Sequence, residues 1–454
     1  MYYSKEAKMK KIVAIIFVAV LAVTTVCTGC GGGSSSSVLT DGDHATLRLM
    51  AGGTQWQGTY LENLKDFVDD FNDGKLGEAA KNLNVTITID AVPDMASTYT
   101  TRLRSASRYP HLMLFDRFNT PEYVNNDFIL DLTDMFTERE VDTALYTPAA
   151  MTEMQVDGKT YGLPVDLDLW GIYVNTDMVD AYNEGKNASE KITLDPDWTW
   201  TEFLSIAKKL THDSGDSKVA GYYTGDLHEH FYKYFLTTGE DFLTSSNIPN
   251  MDAAAAKAVL EFFKEMKDAN ISKNVEAVGF TRGQVAMYTQ ATYYADYIKR
   301  LNPEMHYKFM PMPKAEREGY TFADAQSGGM FGGFGLVVPK PIRKIRDKVY
   351  DSYVKRSVDL LEWWTIGEGA RYWAQYTETM PALNSLRADA ELMNTQVLQD
   401  ASSLVSKYQI RPQLPGYMNY QIYTINSNVS AYLDGTRTLS DTLGKLKDTS
   451  YLLG

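Results

Sequence analysis

The chain has 454 residues, 44% of them hydrophobic and 22% charged, the composition of an ordinary globular protein with material for more than one lobe. A formal charge of -14 with Lys and Arg scattered along the chain excludes a nucleic-acid-binding surface, which needs clustered cations. Only two cysteines occur, Cys27 and Cys30, so the folded part is expected to hold by its core alone, without disulfides or thiol chemistry.

In chain order, Lys5, Lys8, Lys10 and Lys11 precede an apolar run from Ile12 to Val26, followed by small residues up to Cys30. A basic region, a short apolar region and a small-residue cut site make a secretory signal. The run is shorter than the ~20 apolar residues of a spanning helix. Thr28-Gly29-Cys30 resembles the lipobox of bacterial lipoproteins, with Cys27 standing where that pattern prefers an aliphatic residue. The resemblance implies a signal peptide over 1–29, a palmitate-type lipid on Cys30 and a protein anchored on the extracellular face of the cell membrane. The Gly/Ser-rich stretch within 30–43 then serves as a flexible tether.

Beyond the tether, Thr46-Leu-Arg-Leu-Met50 alternates as a strand, and a Gly-rich loop carrying Trp56 leads into Tyr60–Asn72, apolar at helical spacing. Val85–Asp90 reads as a second strand, Ala96–Ser107 as a helix and His111–Phe115 as a third strand. Strand, helix, strand, helix, strand is the pattern of a parallel sheet with helical crossovers, an α/β fold. Thr160–Asn175 is strand-rich, and Asp197-Trp-Thr-Trp-Thr-Glu-Phe203 opens a helix capped by Thr199 or Thr201. Ala253–Ala269 is an amphipathic helix, Gly335–Pro339 a short strand and Val349–Trp364 another helix.

The order of these segments resembles the extracellular solute-binding proteins of bacterial ABC sugar importers, the maltodextrin-binding group of family 1. Tyr161-Gly-Leu-Pro164 leading to Asn175-Thr-Asp-Met178 looks like the family's Tyr-Gly-Ile-Pro segment and Tyr-Asn-Lys-Asp. Asp197–Phe203 is similar to its Pro-x-Thr-Trp-Glu-Glu-Phe helix start, and Phe280–Tyr288 to Phe-x-x-Gly-x-Ala-Ala-Met. Gly335–Lys340 and Met380-Pro-Ala-Leu383 complete an ordered set that spans nearly all of the folded chain. The resemblance implies a two-lobe periplasmic-binding-protein fold of type II, with a hinge and ligand in the cleft between lobes. One lobe is expected over 44–164 plus 310–362, the other over 165–309 plus 363–454.

The same resemblance carries the site. Asp116 and Arg117 follow the third strand, beyond whose carboxyl end an open parallel sheet binds ligands. There the family uses an acid and a base to hydrogen-bond sugar hydroxyls, the stronger, charge-assisted kind of bond. Asp166 corresponds to a sugar-binding carboxylate, and Asp168 shares its strand face. Tyr293 and Tyr294 stand where the family often has a stacking Trp; Trp56 sits in a loop of the kind that lines the cleft. Tyr420, with Tyr417, follows Pro415-Gly416 where late cleft aromatics occur. An aromatic content of 12%, with 30 Tyr, suits sugar rings, which want an apolar face with a polar handle. Trp363, Trp364 and Trp373 read as core.

Other motifs have plainer readings. Gly328–Gly335 lacks the following Lys-Ser/Thr of a phosphate loop and reads as close backbone approach. His228-Glu229-His230 lacks a third spaced ligand for zinc, and Asp69–Gly74 is no EF-hand. No cofactor and no metal are expected. The resulting expectation is a monomeric, lipid-anchored receptor, not an enzyme, that takes a carbohydrate and passes it to ABC permease subunits. Its competitors are a secreted carbohydrate-active enzyme using Asp166 and Asp168, and a sensor or adhesion lipoprotein.

Overall fold

The computed structural model describes residues 38–40, 42–52, 58–92, 98, 101–104, 109–214, 217–272, 277–341 and 347–452. The expected signal segment, Cys30, Trp56 and most of the Ala96–Ser107 helix lie outside these residues. The elements belong to one unit that begins at Leu39. The strands of its two large sheets, in chain order, are β1 (Ala45–Gly52), β2 (Val85–Val92), β3 (Leu112–Asp116), β4 (Gly162–Pro164), β5 (Asp166–Asn175), β6 (Met287–Ala291), β7 (Tyr307–Met310), β8 (Gly329–Gly332), β9 (Phe334–Val337), β10 (Met380–Pro381) and β11 (Tyr408–Gln409).

The first sheet runs β2-β1-β3-β9-β4. β1 pairs parallel with β2, Leu47 opposite Ile87, and with β3, Leu49 opposite Leu112. Leu112 to Phe115 are all buried, as a central strand covered on both faces requires. β9 is antiparallel to both β3 and β4, so the sheet is mixed rather than purely parallel as its opening pattern suggests. The reason is that β9 arrives late in the chain from the second sheet, not by a helical crossover.

The second sheet is built around β5, the longest strand, which pairs antiparallel with β6, β7, β8 and β10 at successive positions. Three passages between the halves meet at its start: β4 into β5, β8 into β9, and β10. At the second passage Gly333 has φ +125, and a Cβ there would lie 2.6 Å from Arg117 Nη1. Only glycine fits that turn without strain.

Helix α1 (Gly58–Asn72) covers the first sheet with α5 (Asp347–Thr365), and α6 (Glu368–Thr377) packs on both helices. The Phe67 ring lies tilted against Trp364, centroids 4.5 Å apart, and edge-on to Trp373, so the three late tryptophans join the core of the first half, Trp373 being 1% exposed. Residues 347–377 thus pack with the first sheet's helix α1, β8 pairs with β5 in the second sheet, and Gly333 stands between β8 and β9. In the second half, α2 (Trp200–Leu210) starts with a capping box: Thr199 Oγ1 accepts from the Glu202 amide and the Glu202 carboxylate accepts from the Thr199 amide. Thr199, not Thr201, is the cap, a device worth ~1 kcal/mol. Trp200 then stacks on Phe262 of α4 (Ala254–Asp268), ring centroids 4.4 Å apart.

Candidate ligand-binding site

Strand alternation places Asp166, Asp168 and Trp170 on one face of β5 at the junction of the two sheets. Every residue of β5 is buried except Trp170, which is half-buried. Asp166 is closed off. Its Oδ1 accepts the Phe334 amide at 2.7 Å and its Oδ2 accepts the Tyr60 hydroxyl at 3.0 Å. Burial raises its carboxyl pKa against the pull of the Phe334 amide and of Arg117.

Asp168 differs. One oxygen accepts the Thr292 hydroxyl at 3.1 Å, and no donor among the described residues reaches the other. Burial, then the neighbouring Asp166 charge, pushes its pKa up to about 7. Beside it Gly332 leaves room: a Cβ at that position would touch Trp170 Nε1 at 3.4 Å and Asp168 Cβ at 3.6 Å.

Arg117 is fully buried, and its donors are spent on the chain. Nη1 donates to the carbonyls of Asp166 (2.6 Å) and Phe334 (2.8 Å), and Nη2 to that of Gly332 (2.7 Å). Nε donates to Glu153 Oε2 at 3.2 Å, and Nη2 lies 3.2 Å from the same oxygen. The guanidinium therefore fastens the β4–β5 and β8–β9 passages to each other.

Asp116, at the end of β3, keeps 38% of its side chain exposed and forms a fork-to-fork pair with Arg411, Nη1 to Oδ2 at 2.9 Å and Nη2 to Oδ1. Burial works against its ionisation, but the Arg411 charge and hydrogen bonds outweigh that and hold its pKa below the usual carboxylate value. Lys233, on α3 (Phe231–Leu236), lies 4.0 Å from the centroid of the Trp170 ring, with Glu229 O and His230 Nδ1 also in reach of Nζ. Burial pushes its pKa down to about 7.

The sequence profile of the bacterial extracellular solute-binding proteins matches residues 66–398. The chain belongs to that family. A protein of Brucella abortus (strain 2308) is 22% identical over 383 residues, 80% of this chain and 84% of its own. Among solved structures, the ABC substrate-binding protein Lmo0181 of Listeria monocytogenes, in complex with cycloalternan, superposes with a TM-score of 0.72 at 16% identity, covering 90% of this chain and 98% of its own. An ABC transporter solute-binding protein of Thermotoga lettingae bound with alpha-D-tagatose gives 0.70 at 19% identity, over 90% and 100%. Maltose-bound MalE3 of T. maritima gives 0.68 at 18% identity, again over 90% and 100%. The fold of this solute-binding protein is the two-lobe α/β fold of those structures.

Within that fold the expected site residues separate. Asp116, Asp166, Asp168 and Arg117 converge at the passages between the halves. Tyr293 is half-buried beside them, its hydroxyl donating to Gln290 Oε1 at 3.1 Å. Tyr294 turns the other way, 2% exposed among Tyr173, Tyr288 and Tyr297. Tyr420 is wholly buried in the second half's core, its hydroxyl donating to Leu446 O at 2.6 Å. Two of the expected residues are placed away from a ligand contact: the Arg117 donors are all used by three carbonyls and Glu153, and Tyr420 packs in the core. Trp170, Thr292 and Arg411 join the site without having been singled out. For Trp170 the signal was present, since it shares parity with Asp166 and Asp168; for Arg411, remote in sequence, no local signal existed.

Proposed function

We propose that this solute-binding protein captures a sugar or oligosaccharide between its two halves and delivers it to the permease subunits of an ABC importer, held outside the cell by a lipid on Cys30. The observation that carries the reading is Asp168: a buried carboxylate with one oxygen unclaimed among the described residues, two residues from the half-buried Trp170. An ionised carboxylate accepts hydroxyl protons in charge-assisted bonds, and an indole face beside it suits the apolar face of a pyranose. Asp116 offers the exposed edge of its carboxylate from the other half, and Tyr293 adds a second ring. Micromolar affinity corresponds to about 8 kcal/mol, within reach of a few hydrogen bonds to charged groups at about 1.5–3 kcal/mol each plus ring burial. Solved relatives of the same fold with cycloalternan, tagatose and maltose support the ligand class.

A glycosidase reading of Asp166 and Asp168 fares worse, because both oxygens of Asp166 are already hydrogen-bonded within the fold. For the anchor, the lipobox-like Thr28-Gly29-Cys30 is the support; among the described residues no helix is long and apolar enough to cross a membrane. A thermal-shift screen against neutral mono- and oligosaccharides tests the ligand. A ligand that binds only the folded state raises its melting temperature by mass action, and the shift is expected to saturate for one sugar class. No shift across the panel refutes the sugar reading. Radiolabelled palmitate incorporated by the natural chain and absent from Cys30→Ser tests the anchor.

A further inference from the structure

Arg411 follows β11, which pairs with β8 in the second sheet, and its neighbour Ile410 accepts the Tyr232 hydroxyl at 2.7 Å, so it is a residue of the second half. Its guanidinium nevertheless reaches into the first half. It holds both oxygens of Asp116 at the end of β3 and brings Nε to 3.8 Å from Glu153 Oε1, while lying 4.3 Å from the centroid of the Phe118 ring, which itself packs with Tyr417 in the second half's core. Neither that Nε nor that Oε1 has a hydrogen-bond partner among the described residues. Only 10% of the Arg411 side chain is exposed. Five residues on, the Gly416 amide donates to Glu122 Oε2 at 2.7 Å, a second bond across the same seam.

We propose that Arg411 is a cross-cleft positioning residue: reaching from the second half, it fixes the Asp116 carboxylate of the first and couples closure of the two halves to presentation of that acid. Three features set this contact apart from a surface ion pair, which contributes little. The geometry is bidentate, which fixes orientation as well as distance. The guanidinium is sandwiched between a ring and two acids instead of standing in water. And Asp116, over a third exposed, takes Arg411 and the Phe118 amide at Oδ1 but only Arg411 at Oδ2, which leaves a lone pair of Oδ2 for a ligand hydroxyl. A ligand that binds the closed arrangement better shifts the population toward it; Arg411 supplies part of that preference before any ligand arrives. The role in ligand capture rests on the sugar reading above, but the clamp itself does not.

Hydrogen exchange of the full chain, with natural Arg411, Arg411→Lys and Arg411→Met, tests it in two arms. Without sugar, Arg411→Met is expected to speed exchange in the segment around Gly416 about tenfold or more, leaving the central strand Leu112–Phe115 unchanged, with Arg411→Lys intermediate. With the sugar found by the thermal-shift screen, Arg411→Met is expected to raise the dissociation rate about tenfold with little change in association. It should add nothing further once Asp116→Asn is present. Uniformly faster exchange in both segments marks a merely structural role and overturns the proposal, as does unchanged exchange at Gly416 or an effect additive with Asp116→Asn. If no sugar binds the natural chain, the ligand reading falls, and the exchange arm alone decides the clamp.

Discussion

The Tyr60 hydroxyl donates to Asp166 Oδ2 at 3.0 Å, tying α1 of the first half to the first residue of the strand that leaves for the second. The Tyr60 ring stacks on Phe334 at 4.5 Å, so the same side chain touches two of the passages between the halves. Replacing Tyr60 by Phe keeps the stack and removes one hydrogen bond to a buried acid. The expected loss is about 1.5–3 kcal/mol, read as a lower urea midpoint with an unchanged slope.

Arg117 makes a larger difference. Arg117→Met strands Glu153 and three carbonyls in the interior, and breaking a buried pair by removing one partner typically costs about 3–5 kcal/mol. Arg117→Lys is expected to recover little, because one ammonium cannot span the Gly332, Asp166 and Phe334 carbonyls that the planar fork reaches. Chemical denaturation of the two variants measures this. Equal stability of Arg117→Lys and the natural chain would remove the staple from the account.

Gly333→Ala combines a left-handed backbone with a methyl carbon 2.6 Å from Arg117 Nη1 and 2.8 Å from Asp166 O. Strain at such a position is of order 1–3 kcal/mol before the clash is counted. Thermal unfolding should show a clear loss, whereas Gly158→Ala, also at positive φ but with nothing within 4 Å, should lose less.

Much of the fold is readable before any coordinates, and the reasons are local. β1, β2 and α1 announce themselves through period-two and period-3.6 patterns, and the Thr199 capping box through its spacing to Glu202. What fails is what depends on distant partners. Arg117 sits beside Asp116 in sequence, yet its guanidinium turns inward to carbonyls at 166, 332 and 334, which nothing in Asp116-Arg117-Phe118 encodes. Tyr293 and Tyr294 are adjacent, and only the packing of Tyr294 among three other tyrosines decides which one faces the site. The return of α6 to α1 is of the same kind: Trp373 fits against Phe67, a contact made across most of the chain.

Protonation of Asp168 gives a pH signature. Its folded pKa, pushed up to about 7, lies above the unfolded value near 3.9. The folded state therefore binds the extra proton between those limits, and stability contributed by this group falls as pH rises from about 4 to about 7. Sugar affinity should move the opposite way, since only the ionised form accepts hydroxyl protons with full strength: binding is expected to tighten through pH 7. Asp168→Asn should remove the affinity trend and lessen the stability trend, the remainder coming from Asp166 and Glu153, which burial also raises. Lys233, pushed down to about 7, titrates in the same range, so the comparison is made in a Lys233→Met background as well. Calorimetric titrations and melts at pH 5.5, 7 and 8.5 supply the readout.

The most direct test is a calorimetric titration of the protein from Val38 onward with the best sugar of a neutral mono- and oligosaccharide panel, comparing the natural chain with Asp168→Asn and Trp170→Ala. The expected result is a one-to-one complex near micromolar affinity, weakened by about 2 kcal/mol or more, roughly thirtyfold, in each variant. A sugar that binds the natural chain and both variants equally well would contradict the site, and a natural chain that binds none would contradict the function.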